Sequence, residues 1–291
     1  MSDGAVFARP RGAAIIRTQA RRLDGLAEAL DSVARQALPV TAFVVVHGSV
    51  VELESARERV RGCHPDIRFL QAPDTGRHRG YPLNQALRAV HASDVPFDFL
   101  FFLDDDDIVY PAFAATLWDA LCHRSADVAY AASNRRVPGQ DAGPAYAPLP
   151  VSCLLFENFI PINAYVVRMD AVRALRPCFD ETLEVLEDWN FLHRLLALGL
   201  RFEPVFETLS EFRLTGDGNT PDKRDQAMWD RSWDGVQAFL KRFWRDADPG
   251  RYLACMAAFD YRRRGALSAA ETRMVRETEA LLSRRLREVA S

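Results

Sequence analysis

The chain has 291 residues, with 37 Lys and Arg against 40 Asp and Glu and a formal net charge of -3. That length supports one large α/β core with an appendage or two modest domains, and the near balance of charge gives no reason to expect a nucleic-acid partner. No apolar run reaches the roughly 18 residues that cross a bilayer and no charged-then-apolar leader opens the chain, so a cytoplasmic protein is expected, with membrane-peripheral contact left open.

Residues 1–11 are small, polar and Pro-containing, and no element is expected there. An apolar run over 13–18 predicts a first strand. Residues 21–38 then repeat Leu23, Leu26, Leu30 and Val33 at helical spacing until Pro39 stops them. A second buried strand is expected over 42–46, ending in His47-Gly48-Ser49, followed by a charged helix over 53–61 and a third strand over 67–72. A polar, Gly-containing loop over 74–80 leads to a helix over 82–91. Residues 99–103 are five apolar side chains in a row, which suits a strand buried on both faces of a parallel sheet. Pro111 starts a helix carrying Phe113, Leu117 and Leu121.

Further strands are expected over 128–133 and 163–169, with an aperiodic Pro-, Gly- and Ala-rich loop over 138–150 between them. A helix over 186–198 and an extended segment over 203–214 complete the unit. Strands alternating with helices at this spacing predict a parallel sheet with right-handed crossovers. From residue 221 the character changes to three Arg-rich amphipathic helices, over 226–244, 251–264 and 267–289. The expected domains are therefore 12–220 and a helical region 221–291, whose faces are solvated or serve oligomer or membrane contact. Five widely spaced cysteines, odd in number and without a Cys-x-x-Cys pair, predict reduced thiols.

The chemistry concentrates where the fourth strand ends, in Asp104, Asp105, Asp106 and Asp107. Carboxylates packed at the carboxyl end of such a strand repel one another unless a cation or a set of donors offsets them. A hard divalent ion carrying phosphate oxygens is the natural partner.

This strand-end motif, the preceding loop and helix with Asn84, and the downstream Leu186-Glu187-Asp188-Trp189 together resemble glycosyltransferase family 2, inverting nucleotide-sugar enzymes of the GT-A fold. The resemblance covers residues 13–220 and implies a Rossmann-like, mostly parallel sheet with flanking helices. It matches Asp104 to Asp106 with the family's Asp-x-Asp, which implies that Asp106, with Asp104, holds Mn2+ or Mg2+ and that Asp104 and Asp105 orient the ribose. It matches Glu187 and Asp188 with the Glu-Asp pair, which implies Asp188 as the catalytic base and Glu187 as its support. Residues 156–164, containing Asn163, are similar to the acceptor-side region, and Trp189 is expected beside the acceptor. Phe179-Asp180-Glu181 resembles the block that precedes the acidic pair.

Several positions depart from the family pattern. Where the family has Asp-Asp-Gly-Ser after the second strand this chain has His47-Gly48-Ser49 behind Val46, which makes His47 the candidate base contact. Arg17-Thr18-Gln19-Ala20 keeps only the threonine of Pro-Thr-Tyr-Asn, so Thr18 is carried as a nucleotide contact. Pro82-Leu83-Asn84 replaces Ala-Arg-Asn, leaving Asn84 and an arginine to be supplied from the loop by Arg77 or Arg79. The C-terminal metal histidine is absent from residues 213–219, and Arg213 with Asp217 and Asn219 forms either a turn or a loop over the diphosphate.

The resemblance implies transfer from a nucleotide-sugar donor to a saccharide or lipid-linked saccharide acceptor, as in bacterial surface glycan synthesis. Two rivals are kept: a sugar-phosphate nucleotidyltransferase, which needs a Gly-rich loop after the first strand, and a non-catalytic sugar-nucleotide or glycan-binding module. Read without the resemblance, Glu187 and Asp188 suit a helix N-terminus, Trp189 a core position and Asn84 a local hydrogen bond.

Overall fold

A computed structural model of the chain describes residues 9–73, 78–149, 151–155, 158–214 and 225–246. Its first half alternates strand and helix: β1 (Gly12–Thr18), α1 (Leu23–Ala34), β2 (Val40–His47), α2 (Val50–Arg59), β3 (Ile67–Ala72), α3 (Gly80–His91) and β4 (Phe99–Asp104). These strands pair in parallel in the order β3-β2-β1-β4. The chain thus winds outward from β1 to β3 and returns to its other side at β4. The switch point lies between β1 and β4, and open α/β sheets bind ligands beyond the carboxyl ends of strands at such a point. Register sets Arg17 level with Asp104 across that junction.

Apolar side chains on both faces of these strands build two cores. Ile15, Phe43, Val45, Leu100 and Phe102 pack on one face with Leu83 and Leu87 of α3. Ala14, Ile16, Val44, Phe101 and Leu103 pack on the other with Leu26 and Leu30 of α1. Burial on both faces explains why β4 reads as an unbroken apolar run.

The second half differs from an all-parallel sheet. Next to β4 lies β8 (Tyr165–Arg168), antiparallel to it, then β6 (Val128–Arg136), antiparallel to β8, then β9 (Phe202–Arg213), parallel to β6. A short β5 (Ile108–Val109) closes the far end against β9, and β7 (Gly143–Tyr146) pairs with β6 inside the stretch read from sequence as loop. Apolar runs report burial but not direction, and a four-residue strand with exposed Pro144 and Ala145 carries no periodic signal. α4 (Phe113–Arg124) covers this half, and the strand expected to run to residue 169 stops at Arg168, where α5 (Met169–Leu175) begins.

Two helices complete the described structure: α6 (Glu187–Ala197) and α7 (Gln226–Asp246). α7, the first helix of the C-terminal region, does not stand apart. Val236 and Leu240 join the core that α6 packs into, Trp233 lies 5.4 Å from Trp189, and the Ser232 hydroxyl accepts from the Val185 amide at 3.2 Å. The two further helices expected over 251–264 and 267–289 lie outside the described residues. Among the described residues Cys63, Cys122, Cys153 and Cys178 form no disulfide, and no helix is long and apolar enough to cross a membrane.

Candidate active site

A cleft of about 890 Å³ opens beyond the carboxyl ends of β1 and β4, a volume in the range of small-molecule sites. Its walls include Arg17, Thr18, Arg22, His47, Arg79, Asp104, Asp105, Asp106, Glu187 and Asp188. Sequence positions some eighty residues apart therefore meet across one space.

Two glycines let backbone segments close around it. A Cβ on Gly25 would sit 2.6 Å from the Asp105 carbonyl oxygen, so only glycine lets the first turn of α1 press on the acidic strand end. A Cβ on Gly80 would sit 2.7 Å from the Asp180 carbonyl, which brings α3 against the loop before α6. At the start of α6 Leu186 adopts φ 63, ψ 17, a left-handed conformation that is rare and strained for a leucine, just before Glu187 and Asp188 enter the cleft.

The four aspartates are held by different partners. Asp104 takes a fork from Arg17, Nε donating to Oδ1 at 2.6 Å and Nη2 to Oδ2 at 2.9 Å. Asp105 is 4 % exposed, accepts from the Thr18 hydroxyl at 2.6 Å and lies 3.1 Å from Arg22 Nη2. Asp106 is paired with Arg22 Nη1. Asp107 is 1 % exposed and accepts the Arg213 amide on Oδ1 at 2.8 Å, while its Oδ2 has no partner among the described residues.

Their acidities follow these settings. Burial, opposed in part by the Thr18 hydroxyl and Arg22, pushes Asp105 up to about 6. Burial and the neighbouring aspartates raise Asp106 and Asp107 as well. Asp104, although buried, is lowered because Arg17 faces it.

Asp104, Asp106 and Asp107 each place one carboxylate oxygen within 4.8 Å of the others. Hard oxygen donors, one of them buried and unpartnered at Asp107, fit a Mg2+ or Mn2+ ion. Asp107 is thereby added to the expected pair Asp104 and Asp106.

The carboxylates at the start of α6 are a matched but unequal pair. Glu187 is 2 % exposed and ion-paired with Arg17 at 2.5 Å and Arg79 at 3.1 Å. Although burial opposes its charge, the two guanidiniums lower its pKa. Asp188, partly exposed to the cleft, has no arginine partner of its own. The Trp189 amide donates to its Oδ1 at 2.7 Å and the Asn158 amide group approaches at 3.4 Å. Burial, then the charge of Glu187, raises Asp188 from 3.8 to about 6. Two adjacent carboxylates are thus pushed apart, the pattern by which one stays charged and the other becomes a base near neutral pH.

Three predicted residues lie elsewhere. Asn84 is buried behind the wall, donating to the Phe179 carbonyl at 3.0 Å and to Glu181 at 2.9 Å and accepting the Phe179 amide at 2.8 Å. It braces the 179–181 loop. Asn163 is fully buried and donates to the Glu211 carbonyl at 3.1 Å, at the junction of β8 and β9. Trp189 turns its ring into the core, with Nε1 donating to the Leu154 carbonyl at 2.6 Å, because the first turn of α6 aims Asp188 at the cleft and the next position inward. Arg77, Asp217 and Asn219 lie outside the described residues.

Sequence reading missed Arg17 and Arg22 as site residues, together with Tyr146, Asn158 and Phe212 of the cleft wall. A signal for Arg17 existed. Two parallel neighbours of similar length end at the same level, so an arginine ending β1 meets an aspartate ending β4. Tyr146 had none, since β7 was not legible as a strand.

No protein-family model matches the sequence, and no curated protein matches it. Solved structures do resemble the fold. S. aureus TarS 1-349 in complex with UDP superposes with a TM-score of 0.61 at 15% identity, over 90% of this chain and 77% of that one. Mannosyltransferase PcManGT from Pyrobaculum calidifontis, in complex with GDP-Man and Mn2+, gives 0.58 at 16% identity over 98% of this chain and 85% of that one. Against S. aureus TarS as a longer chain the TM-score is 0.55 at 14% identity, and this chain spans 54% of its length. These likenesses show the fold: a Rossmann-like α/β sheet with flanking helices, of the GT-A type expected from the sequence.

Proposed function

We propose that the chain is an inverting, divalent-metal-dependent glycosyltransferase that moves a sugar from a nucleoside-diphosphate donor to a saccharide or lipid-linked saccharide acceptor. A role in surface glycan assembly and a cytoplasmic, membrane-peripheral setting belong to the same reading. The observation that carries it is one cleft at the switch point of a GT-A sheet, with Asp104 and Asp106 of the acidic metal-type triad on one wall, buried Asp107 beside them, and a carboxylate of raised pKa on the other. The fold neighbours solved in complex with UDP, or with GDP-Man and Mn2+, agree with a donor of that class.

Direct displacement at the anomeric carbon needs an acceptor hydroxyl to lose its proton as it attacks. Asp188 is suited to take it, because its pKa near 6 leaves it ionised at neutral pH yet more basic than an ordinary aspartate. Burial raises the base, and Glu187, kept ionised by Arg17 and Arg79, adds to this through its negative charge. Asp104, Asp106 and Asp107 are the residues that would hold Mn2+ or Mg2+, and the ion, when bound, offsets charge on the leaving diphosphate. Thr18, itself on the cleft wall, holds Asp105 by a 2.6 Å hydrogen bond. Tyr146 and Phe212, ring centroids 6.1 Å apart, give the wall near Asp188 an aromatic surface of the kind saccharides lie against.

A nucleotidyltransferase is disfavoured because residues 19–22, which join β1 to α1, contain no glycine. The deciding experiment is a thermal-shift and turnover screen of UDP-GlcNAc, GDP-Man and other sugar nucleotides with Mn2+ or Mg2+, on wild type, Asp106→Asn and Asp188→Asn. Metal-dependent donor consumption lost in both variants is expected. Tight binding without turnover would instead favour the non-catalytic binding module, and the absence of binding and turnover with every donor would sink both.

A further inference from the structure

Five arginines line the cleft, of which Arg17, Arg22, Arg79 and Arg213 pair with carboxylates. Arg17 and Arg79 tie Asp104 to Glu187, and the Arg213 guanidinium ties β9 to Glu28 of α1 and pairs with Glu211 of its own strand at 2.7 Å, while its backbone amide donates to Asp107. These three brace elements against one another. Arg22 differs, because its guanidinium spans Asp105 and Asp106 and so sits on an oxygen of the metal-type triad.

We propose that Arg22 is a diphosphate-binding residue, stored on the metal-site carboxylates of the free protein and exchanged there for the divalent cation when the donor arrives. The inference rests on the donor reading above and deepens it. Two cations have claims on Asp106, and at a few ångströms in a partly buried site they repel strongly, so both cannot stay. Arg22 is the movable one. It stands at the N-cap of α1 and makes no side-chain cap there, on a four-residue connection, and its side chain is only 13 % exposed while resting on the acids.

The alternative partner is close by. A donor diphosphate in the same cleft brings oxygens that match the planar fork of a guanidinium better than a single carboxylate edge does. The glycine contact of α1 on Asp105 keeps the start of that helix at the cleft floor, within reach of both positions. The buried, unpartnered oxygen of Asp107 is an independent sign that the triad is built for a cation and not only for Arg22.

The exchange predicts opposite effects of one substitution on two ligands. Nucleotide-free, full-length wild type and Arg22→Gln are titrated with Mn2+ alone, following free Mn2+ by electron paramagnetic resonance. They are then titrated with UDP and with GDP at saturating Mn2+ by calorimetry. Arg22→Gln is expected to bind Mn2+ about tenfold more tightly and the nucleoside diphosphates about tenfold more weakly, the size of one ion pair lost on each side. Arg22→Lys, which keeps charge without the fork, is expected between the two, and it preserves the test should the glutamine variant not fold. Because coupling is reciprocal, the enhancement of Mn2+ affinity by nucleotide should also shrink in Arg22→Gln.

Unchanged or weaker Mn2+ binding in Arg22→Gln overturns the exchange, and unchanged nucleotide affinity overturns the diphosphate role. If wild type binds neither UDP nor GDP, the donor reading falls and the diphosphate half falls with it. The Mn2+ comparison then still decides whether Arg22 and the cation compete.

Discussion

Replacing Asp188 by asparagine should do two things at once: abolish transfer and stabilise the fold in a pH-dependent way. The native carboxyl is raised from 3.8 to about 6 by burial and by Glu187, so the folded protein holds this proton more tightly than the unfolded chain. The sign follows from linkage. Below the unfolded value both states are protonated and there is no penalty; between the two values the penalty grows; above the folded value it is complete. At 1.36 kcal/mol for each pH unit, a shift of this size costs about 3 kcal/mol at neutral and higher pH. Asparagine keeps an oxygen for the Trp189 amide, which now donates at 2.7 Å, but removes the charge. Urea denaturation at about pH 8 should therefore show the variant more stable by up to about 3 kcal/mol, and the gain should vanish near pH 4. A variant destabilised equally at both pH values would refute the claim that Asp188 is held charged at a cost, and with it the physical basis for its role as base.

The same shift predicts that the rate of transfer in wild type falls on the acid side with an apparent pKa near 6, seen in kcat/KM against pH. A profile flat down to pH 5 would remove Asp188 from the chemistry. Arg17→Met leaves Asp104 and Glu187 facing each other without their shared cation and should cost about 3 to 5 kcal/mol in urea denaturation. A loss below about 1 kcal/mol would mean that Arg79 alone balances the pair. Asn84→Ala should cost about 2 to 4 kcal/mol, because the Phe179 amide and carbonyl both lose their partner, while UDP or GDP affinity stays unchanged. A tenfold loss of nucleotide affinity without loss of stability would return Asn84 to the donor site.

Much of this was legible from local pattern, and the reasons are physical. Strands β1 to β4 and the helices between them follow from apolar runs, Pro stops and helical spacing, since burial on both faces leaves a strong one-dimensional trace. Asp104 to Asp107 were visible because charge at the end of a buried strand is costly and therefore informative, whereas Glu187 and Asp188 were singled out only by the family resemblance. Strand direction after β4, the pairing of β7 and the short β5 were not legible, since each depends on contacts distant in sequence. Trp189 shows the same limit at the scale of one residue: on α6 adjacent positions point to different surroundings, and sequence proximity to Asp188 does not carry a ring into the cleft.

Arg17 connects these levels. Measured against a family motif it is a departure, an arginine where proline is usual, and taken alone it removes a resemblance. In the sheet it ends β1 at the level of Asp104 and, from the same guanidinium, reaches Glu187 170 residues later. Asp104 and Glu187 are therefore held by the same guanidinium, with Arg79 also touching both, so neither carboxylate has an independent electrostatic state. A charge change at one must alter the other through these arginines, which makes substitutions at Asp104 and Glu187 non-additive. The loss of a motif residue and the gain of a shared counter-ion are here the same event, and only the register of two parallel strands distinguishes them.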